Sequence, residues 1–123
     1  MVIDTNIFID HLRASDKANS VLSQISKHNR IFTTSVNIFE LLIGATNKDK
    51  KEDVRKLIEG ITVLIFNFES AKIASGLYLK LRSANQIIEF RDIFIAAICL
   101  NNKLPIKTLN QKHFNRIEGL EVL

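Results

Sequence analysis

The first six residues, Met1-Val2-Ile3-Asp4-Thr5-Asn6, constrain the fold most strongly. A short apolar run ends abruptly in a carboxylate, and Ile7-Phe8-Ile9-Asp10-His11-Leu12 then has the pattern of a helix. A strand that ends in a lone Asp, with a helix following at once, places that Asp at the carboxyl edge of a sheet. In open α/β sheets that edge is where ligands bind. The expectation is that Asp4 is one of several acids that converge there on a divalent metal.

The rest of the chain alternates between β-prone and helical stretches. Thr5 or Asn6 is expected to cap a helix from Ile7 to about Arg13. Ser15 and Asp16 precede a second helix, with Val21, Leu22 and Ile25 on one face, ending near His28-Asn29. Ile31-Phe32-Thr33 is β-prone, and Ser35 is expected to cap a helix that carries Glu40 to Gly44-Ala45. Asn47 to Lys51 is a polar break before a helix from Asp53 to Glu59, which stops at Gly60. Ile61 to Phe66 is a near-continuous β-branched run of the kind covered on both faces in parallel sheets. Ser70 to Ala84 is a long helix, with Ile73, Ala74, Leu77, Tyr78 and Leu81 inward. After a connector, Asp92 opens a helix to Leu100 that is apolar on almost every face and therefore central. Leu104 to Lys107 is a short strand with Thr108-Leu109-Asn110 as its exit loop, and a turn at His113-Phe114 and the run Leu120 to Leu123 follow. This alternation predicts an α/β fold with a mainly parallel central sheet and helices on both faces.

Size and composition narrow the class. A chain of 123 residues, 46% hydrophobic and 24% charged, falls in the range of one globular domain. Cys99 is the only cysteine, so no internal disulfide forms, which suits a reducing, cytoplasmic setting. No stretch reaches the roughly 18 apolar residues of a membrane helix, and the start lacks the layout of a signal peptide. The net charge of +4 is a mild basic excess that fits a nucleic-acid partner without specifying one. Gly44-Ala45-Thr46-Asn47-Lys48 lacks the second Gly of a phosphate-binding loop, and no G-x-G-x-x-G follows the first strand. Asn6 stands where an aspartyl-phosphate phosphatase needs a second Asp, and the strand Ile61–Phe66 ends in Asn67 rather than in the acceptor Asp of a receiver domain. His11, His28 and His113 are not spaced as a zinc site, and Cys99 reads as a small core residue.

Three acids remain: Asp4, Glu40 and Asp92. Each has an ordinary structural use, as a turn residue, an exposed or salt-bridged helix position and an N-cap respectively. A carboxylate among so many Ile, Leu and Phe nevertheless needs a partner, and together, with Asn110 just after the last central strand, they fit one site. Asp4-Thr5-Asn6, Phe39-Glu40-Leu41, Asp92-Ile93-Phe94-Ile95-Ala96-Ala97 and Thr108-Leu109-Asn110-Gln111-Lys112-His113-Phe114 resemble, in order, the motifs of PIN-domain nucleases. They are most similar to the VapC toxins of type II toxin–antitoxin pairs. The resemblance spans essentially the whole chain and includes Arg116-Ile117 and Gly119-Leu120.

The resemblance implies a single PIN domain over residues 1–123, a three-layer Rossmann-like sandwich. It implies an endoribonuclease dependent on Mg²⁺ or Mn²⁺, a cognate VapB-like antitoxin and a homodimer, with no membrane association. Asp4, Glu40 and Asp92 match the family's metal-binding acids. Asn110 falls where many relatives have a fourth acid, and His113 where some carry a further one. Asp4 and Asp92 are expected to ligate one principal ion, with Glu40 as ligand or water-orienting base and Asn110 on a metal-bound water or a phosphate oxygen. Thr5 and Asn6 are expected to fix Asp4 by hydrogen bonds. Arg91, Lys107, Lys112, His113 and Arg116 are the candidate RNA contacts. Lys48, Lys50 and Lys51 read as solvated charges, and most of the eight Phe as core. The alternative is a catalytically weakened PIN-like binding or scaffold module, for which the neutral Asn110 is the motive.

Overall fold

The structure, a computed structural model, describes all residues from Met1 to Leu123. Four strands, β1 (Val2–Ile3), β2 (Phe32–Thr34), β3 (Thr62–Leu64) and β4 (Ile106–Lys107), form one sheet in the order β3-β2-β1-β4, and every pairing is parallel. Val2 stands opposite Phe32 on one side and Ile106 on the other, which makes β1 an inner strand. The tail adds to the outer side of β4 through Ile106 N–H to Glu121 O (3.0 Å) and Leu123 N–H to Ile106 O (2.8 Å). This is how the last apolar run is used.

Because successive strand residues point to opposite faces, Val2 and Ile3 enter different cores. Val2 and Ile106 pack with α5 (Phe68–Ser83), α6 (Phe90–Asn101) and Phe114 of α7 (Gln111–Phe114). Ile3 packs with α1 (Thr5–Arg13), α2 (Val21–Ser26), α3 (Ser35–Gly44) and α4 (Lys48–Ile58), through Ile7, Phe8, Leu22, Leu41 and Val54. Helices therefore cover both faces. Helix α6 is the innermost, with Ile93 and every residue from Ile95 to Cys99 buried. Burial pushes the Cys99 thiol up to about 12, with the nearby Asp4 charge acting in the same direction, so Cys99 is an inert core group.

Several boundaries differ from those read in the sequence. Helix α1 begins at Thr5 because Asp4, not Thr5 or Asn6, is the cap. Thr34 rather than Ser35 caps α3, in a reciprocal capping box with Asn37. The polar segment after Asn47 is the first turn of α4, since Asn47 Oδ1 accepts from Lys50 N–H at 2.9 Å, and the exposed Lys48, Lys50 and Lys51 lie on a helix. Asn67 caps α5 three residues before Ser70. Helix α6 starts at Phe90, which puts Asp92 in its first turn and not at its cap. Strand β3 is an edge strand of three residues paired with β2 alone, and Val63, Ile65 and Phe66 are exposed. A β-branched run specifies extended backbone, but only the pairing decides whether both faces are covered.

Both long helices end without glycine. Asn85 (φ 54°) and Lys103 (φ 55°) take the left-handed conformation after α5 and α6. Gln86 N–H returns to Leu81 O at 2.8 Å and Leu104 N–H to Cys99 O at 3.0 Å, closing the orphan carbonyls as in a Schellman turn. For Lys103 that conformation costs about 1–2 kcal/mol, more than the entropic cost of glycine. Lys103→Gly is therefore expected to stabilise the protein by roughly 0.5–1 kcal/mol, read as a higher urea midpoint at unchanged m-value.

Candidate active site

Parallel pairing brings the carboxyl ends of β1, β2 and β4 to one edge of the sheet, and the acids meet there. Asp4 leaves β1 fully buried. Its Oδ1 accepts from Thr5 N–H (2.8 Å), Asn37 Nδ2 (3.0 Å) and Arg91 Nη2 (2.6 Å), and its Oδ2 accepts from the Thr108 hydroxyl at 2.6 Å. Oδ1 thus accepts three hydrogen bonds and Oδ2 one, so both oxygens of the buried carboxylate are satisfied, as its desolvation requires. Asn37 is itself buried and bonded at both ends. Its Oδ1 accepts from Thr34 N–H and Oγ1, at 3.3 and 2.6 Å, and its Nδ2 donates to Thr5 Oγ1 at 2.9 Å as well as to Asp4. The capping box that starts α3 therefore also sets the amide that holds Asp4.

Glu40 projects from α3 with its side chain 27% exposed, against 1% for Asp4 and 2% for Asp92. Its Oε1 accepts from the Thr5 hydroxyl at 2.7 Å. Asp92 lies in the first turn of α6, where the helix dipole favours negative charge. Its Oδ2 is 3.0 Å from His113 Nδ1 and 3.5 Å from Asn110 Nδ2. His113 Nδ1 is also 2.8 Å from Asn110 Nδ2, so that ring nitrogen donates to the carboxylate or accepts from the amide according to its tautomer.

The centre of the acid cluster is taken by Arg91. Its Nη2 pairs with Asp4 at 2.6 Å, its Nε with Glu40 at 2.7 Å, and its Nη1 with Asp92. Burial works against the guanidinium charge, but the bond to Glu40, the field of Asp4 and the bonds to Asp92 and Asp4 outweigh it, so Arg91 is held more firmly protonated than usual. Spread around this planar group, no three acid, imidazole or thiol side chains stand close enough to share one ion. The site opens to solvent through a pocket of about 530 Å³, lined by Thr5, Asn6, Glu40, Arg91, Asp92, Asn110 and His113 among others.

The structure thus brings Asp4, Glu40, Asp92, Asn110 and His113 together, and it redistributes their expected supports. The Thr5 hydroxyl serves Glu40, and it is the Thr5 backbone that reaches Asp4. Asn6 is exposed on the pocket wall and makes no hydrogen bond to Asp4; Asn37 and Thr108 hold it instead. Of the five candidate RNA contacts, Arg91 and His113 line the pocket, whereas Lys107, Lys112 and Arg116 do not. Lys107 is paired in β4, Lys112 is exposed on α7, and Arg116 donates to Ile87 O at 3.3 Å beside a separate cleft. Only half of the eight Phe belong to the core: Phe8 and Phe114 are fully buried and Phe32 and Phe94 pack against it, whereas Phe39, Phe66, Phe68 and Phe90 are exposed. Asn37 was not visible beforehand because nothing in Val36-Asn37-Ile38 separates a buried amide from an exposed one. The one local signal was its place three residues after Thr34, a capping-box spacing. Asn37→Ala strips donors from Asp4 and a partner from Thr34, and is expected to lower the unfolding free energy by about 1–3 kcal/mol, measured by urea denaturation.

Comparison with known proteins gives concordant matches. The family model described as "PIN domain" matches residues 1–120. Ribonuclease VapC1 of Rickettsia felis is 30% identical, over 100% of this chain and 94% of its own. Among solved structures, VapBC-1 from nontypeable Haemophilus influenzae superposes with a TM-score of 0.84 at 23% identity, covering 99% of this chain and 95% of that one. VapBC-5 from Mycobacterium tuberculosis, described as a member of the VapBC family of toxin–antitoxin systems, superposes with a TM-score of 0.71 at 22% identity, covering 99% and 94%.

Proposed function

The chain belongs to the PIN domain family, and on that premise we propose that it is a metal-dependent endoribonuclease, the toxin of a VapBC-type pair, forming a single PIN domain throughout residues 1–123. The observation that carries this reading is the meeting of Asp4, Glu40 and Asp92, from three separate elements, around one guanidinium at the carboxyl edge of a parallel sheet, with Glu40 and Asp92 lining the pocket and Asp4 buried behind them. The 30% identity to a protein named as a ribonuclease directs the acids to RNA.

The donor set fits a hard divalent cation. It consists of carboxylate oxygens with an amide and hydroxyls behind them, the ligands that Mg²⁺ and Mn²⁺ prefer. One guanidinium leaves the charge of three carboxylates only partly balanced, so a doubly charged ion in its place matches the cluster better. Asp4 and Asp92 would be the principal ligands and Glu40 a third once Arg91 leaves the space between them, because around the guanidinium no three of these side chains stand close enough to share one ion. A bound divalent ion supplies positive charge against the scissile phosphate and acidifies water.

The chain's own groups do the rest. Asp4 is immobilised by Thr5, Asn37 and Thr108, so its carboxylate cannot rotate as substrate enters. Glu40 is the most exposed of the acids and faces the pocket, placed to orient water and accept its proton. Asn110 and His113 crowd Asp92 Oδ2 and present N–H groups where phosphate oxygens would arrive. Arg91, once released from the acids, reaches the same space.

A VapB-like antitoxin is the proposed partner, because the matching folds come from VapBC assemblies. A homodimer is proposed as well. Exposed Phe39, Ile43, Phe68 and Phe90 provide apolar surface of the kind that assembly covers. No helix is long and apolar enough to cross a membrane, and a cytoplasmic site of action suits the single buried thiol.

Asp4→Asn and Asp92→Asn should each lower cleavage of total RNA in Mn²⁺ by more than about 100-fold while the circular dichroism spectrum is unchanged. Full metal-dependent cleavage by either variant would refute this assignment of the acids, whereas no cleavage by the wild-type chain in Mn²⁺ would point to the scaffold reading. Thr108→Val, which removes one hydrogen bond from Asp4 and the acceptor of Asn110 N–H, should cost about 10–100-fold in the same assay.

A further inference from the structure

We propose that Arg91 is a built-in counter-cation, which holds the acid cluster together without metal and competes with the divalent ion for the same carboxylate oxygens. The inference depends on reading Asp4, Glu40 and Asp92 as a metal site. It concerns a residue that the sequence marked only as a candidate phosphate contact.

The geometry points to competition and not to coexistence. Arg91 uses a different nitrogen for each acid: Nη2 for Asp4, Nε for Glu40 and Nη1 for Asp92. The carboxylates are therefore spaced to match the edges of a planar fork and do not converge on one point. The oxygens that face the guanidinium are also the ones a metal needs. Asp4 Oδ2 is taken by Thr108, and Asp92 Oδ2 is taken up by His113 and Asn110. Asp4 Oδ1 already accepts from Thr5 N–H and Asn37 Nδ2 in addition to Arg91, so an ion can join it only where Arg91 now stands.

Arg91 is placed to leave. Its side chain is 22% exposed and forms part of the pocket wall. Beyond the three acids the only other hydrogen bond of its side chain is one of 3.3 Å to the Thr5 hydroxyl. It cannot be removed by deprotonation, because guanidinium stays charged, so displacement into the pocket is the route. Metal then binds only the fraction of molecules in which Arg91 has swung out, and the apparent affinity falls by that fraction.

The test is Mn²⁺ binding to the full chain without RNA, by calorimetry, with thermal midpoints measured in parallel. Arg91→Gln should bind Mn²⁺ at least about tenfold more tightly than wild type, with Arg91→Lys in between, because an ammonium is a point charge and a poorer match to three carboxylates. Without metal Arg91→Gln should melt lower than wild type, and saturating Mn²⁺ should raise its midpoint by more. Equal or weaker Mn²⁺ binding by Arg91→Gln would overturn the competition while leaving the metal site standing. Absence of Mn²⁺ binding in wild type and in both variants would overturn the metal reading and this inference together. If Arg91→Gln does not fold without metal, Arg91→Lys carries the same comparison: tighter Mn²⁺ binding than wild type supports competition, and unchanged binding refutes it. Asp4→Asn combined with Arg91→Lys should lose the Mn²⁺ heat, which ties the signal to this site.

Discussion

A carboxylate with no solvent exposure is the constraint around which this molecule is built. Asp4 sits at the end of an inner strand, where an unpaired charge is prohibitively costly. Its partners come from the start of α1, from α3, from α6 and from the loop after β4. Those elements are within reach only because β2 and β4 flank β1 in parallel, so that their carboxyl ends lie side by side. The sheet order, the capping box of α3 and the hydroxyl of Thr108 are parts of one solution to a single desolvation problem.

Burial grades the site. Asp4 and Asp92 form a floor that water scarcely reaches, and Glu40 stands at the rim. The floor acids are positioned by rigid backbone: β1 for one, and for the other the first turn of a helix whose next residues are almost all in the core. A charged group at the mouth of so apolar a helix has little freedom to move. Arg91 joins the two levels, since one guanidinium touches all three acids.

The two hydrophobic cores explain why the site holds its shape in a small chain. Val2 and Ile3 point to opposite faces, each sealed by its own helices, so the strand that ends in Asp4 is clamped from both sides. Apolar surface left outside these cores includes four phenylalanines, Phe39, Phe66, Phe68 and Phe90. Phe66 packs on Phe94 with centroids 4.7 Å apart, and Phe94 stacks on Phe90 at 6.1 Å, which carries a ladder of rings from the edge strand to the helix that bears Arg91 and Asp92.

The sequence by itself determined the α/β class, the parallel sheet and the identity of the acids. Those features follow from local alternation of apolar runs and from carboxylates placed at the ends of strands and helices. It also marked α6 as central, because Ile93 to Leu100 leaves no polar face. Tertiary structure alone decided the rest. That β3 is an edge strand depends on which strands pair, not on the apolarity of Ile61–Phe66. The outward Phe39, Phe66, Phe68 and Phe90 read as core in one dimension, since a run of apolar residues does not say which side meets another element. Asn37 and Thr108 became supports of Asp4 only when residues 33 and 104 positions away were folded against it. Arg91 read as a phosphate contact and not as a partner of the acids, because its sequence neighbours include only one of its three acidic partners. Pairing of charges distant in sequence is a property of the folded chain, and in this protein it determines what stands at the centre of the site.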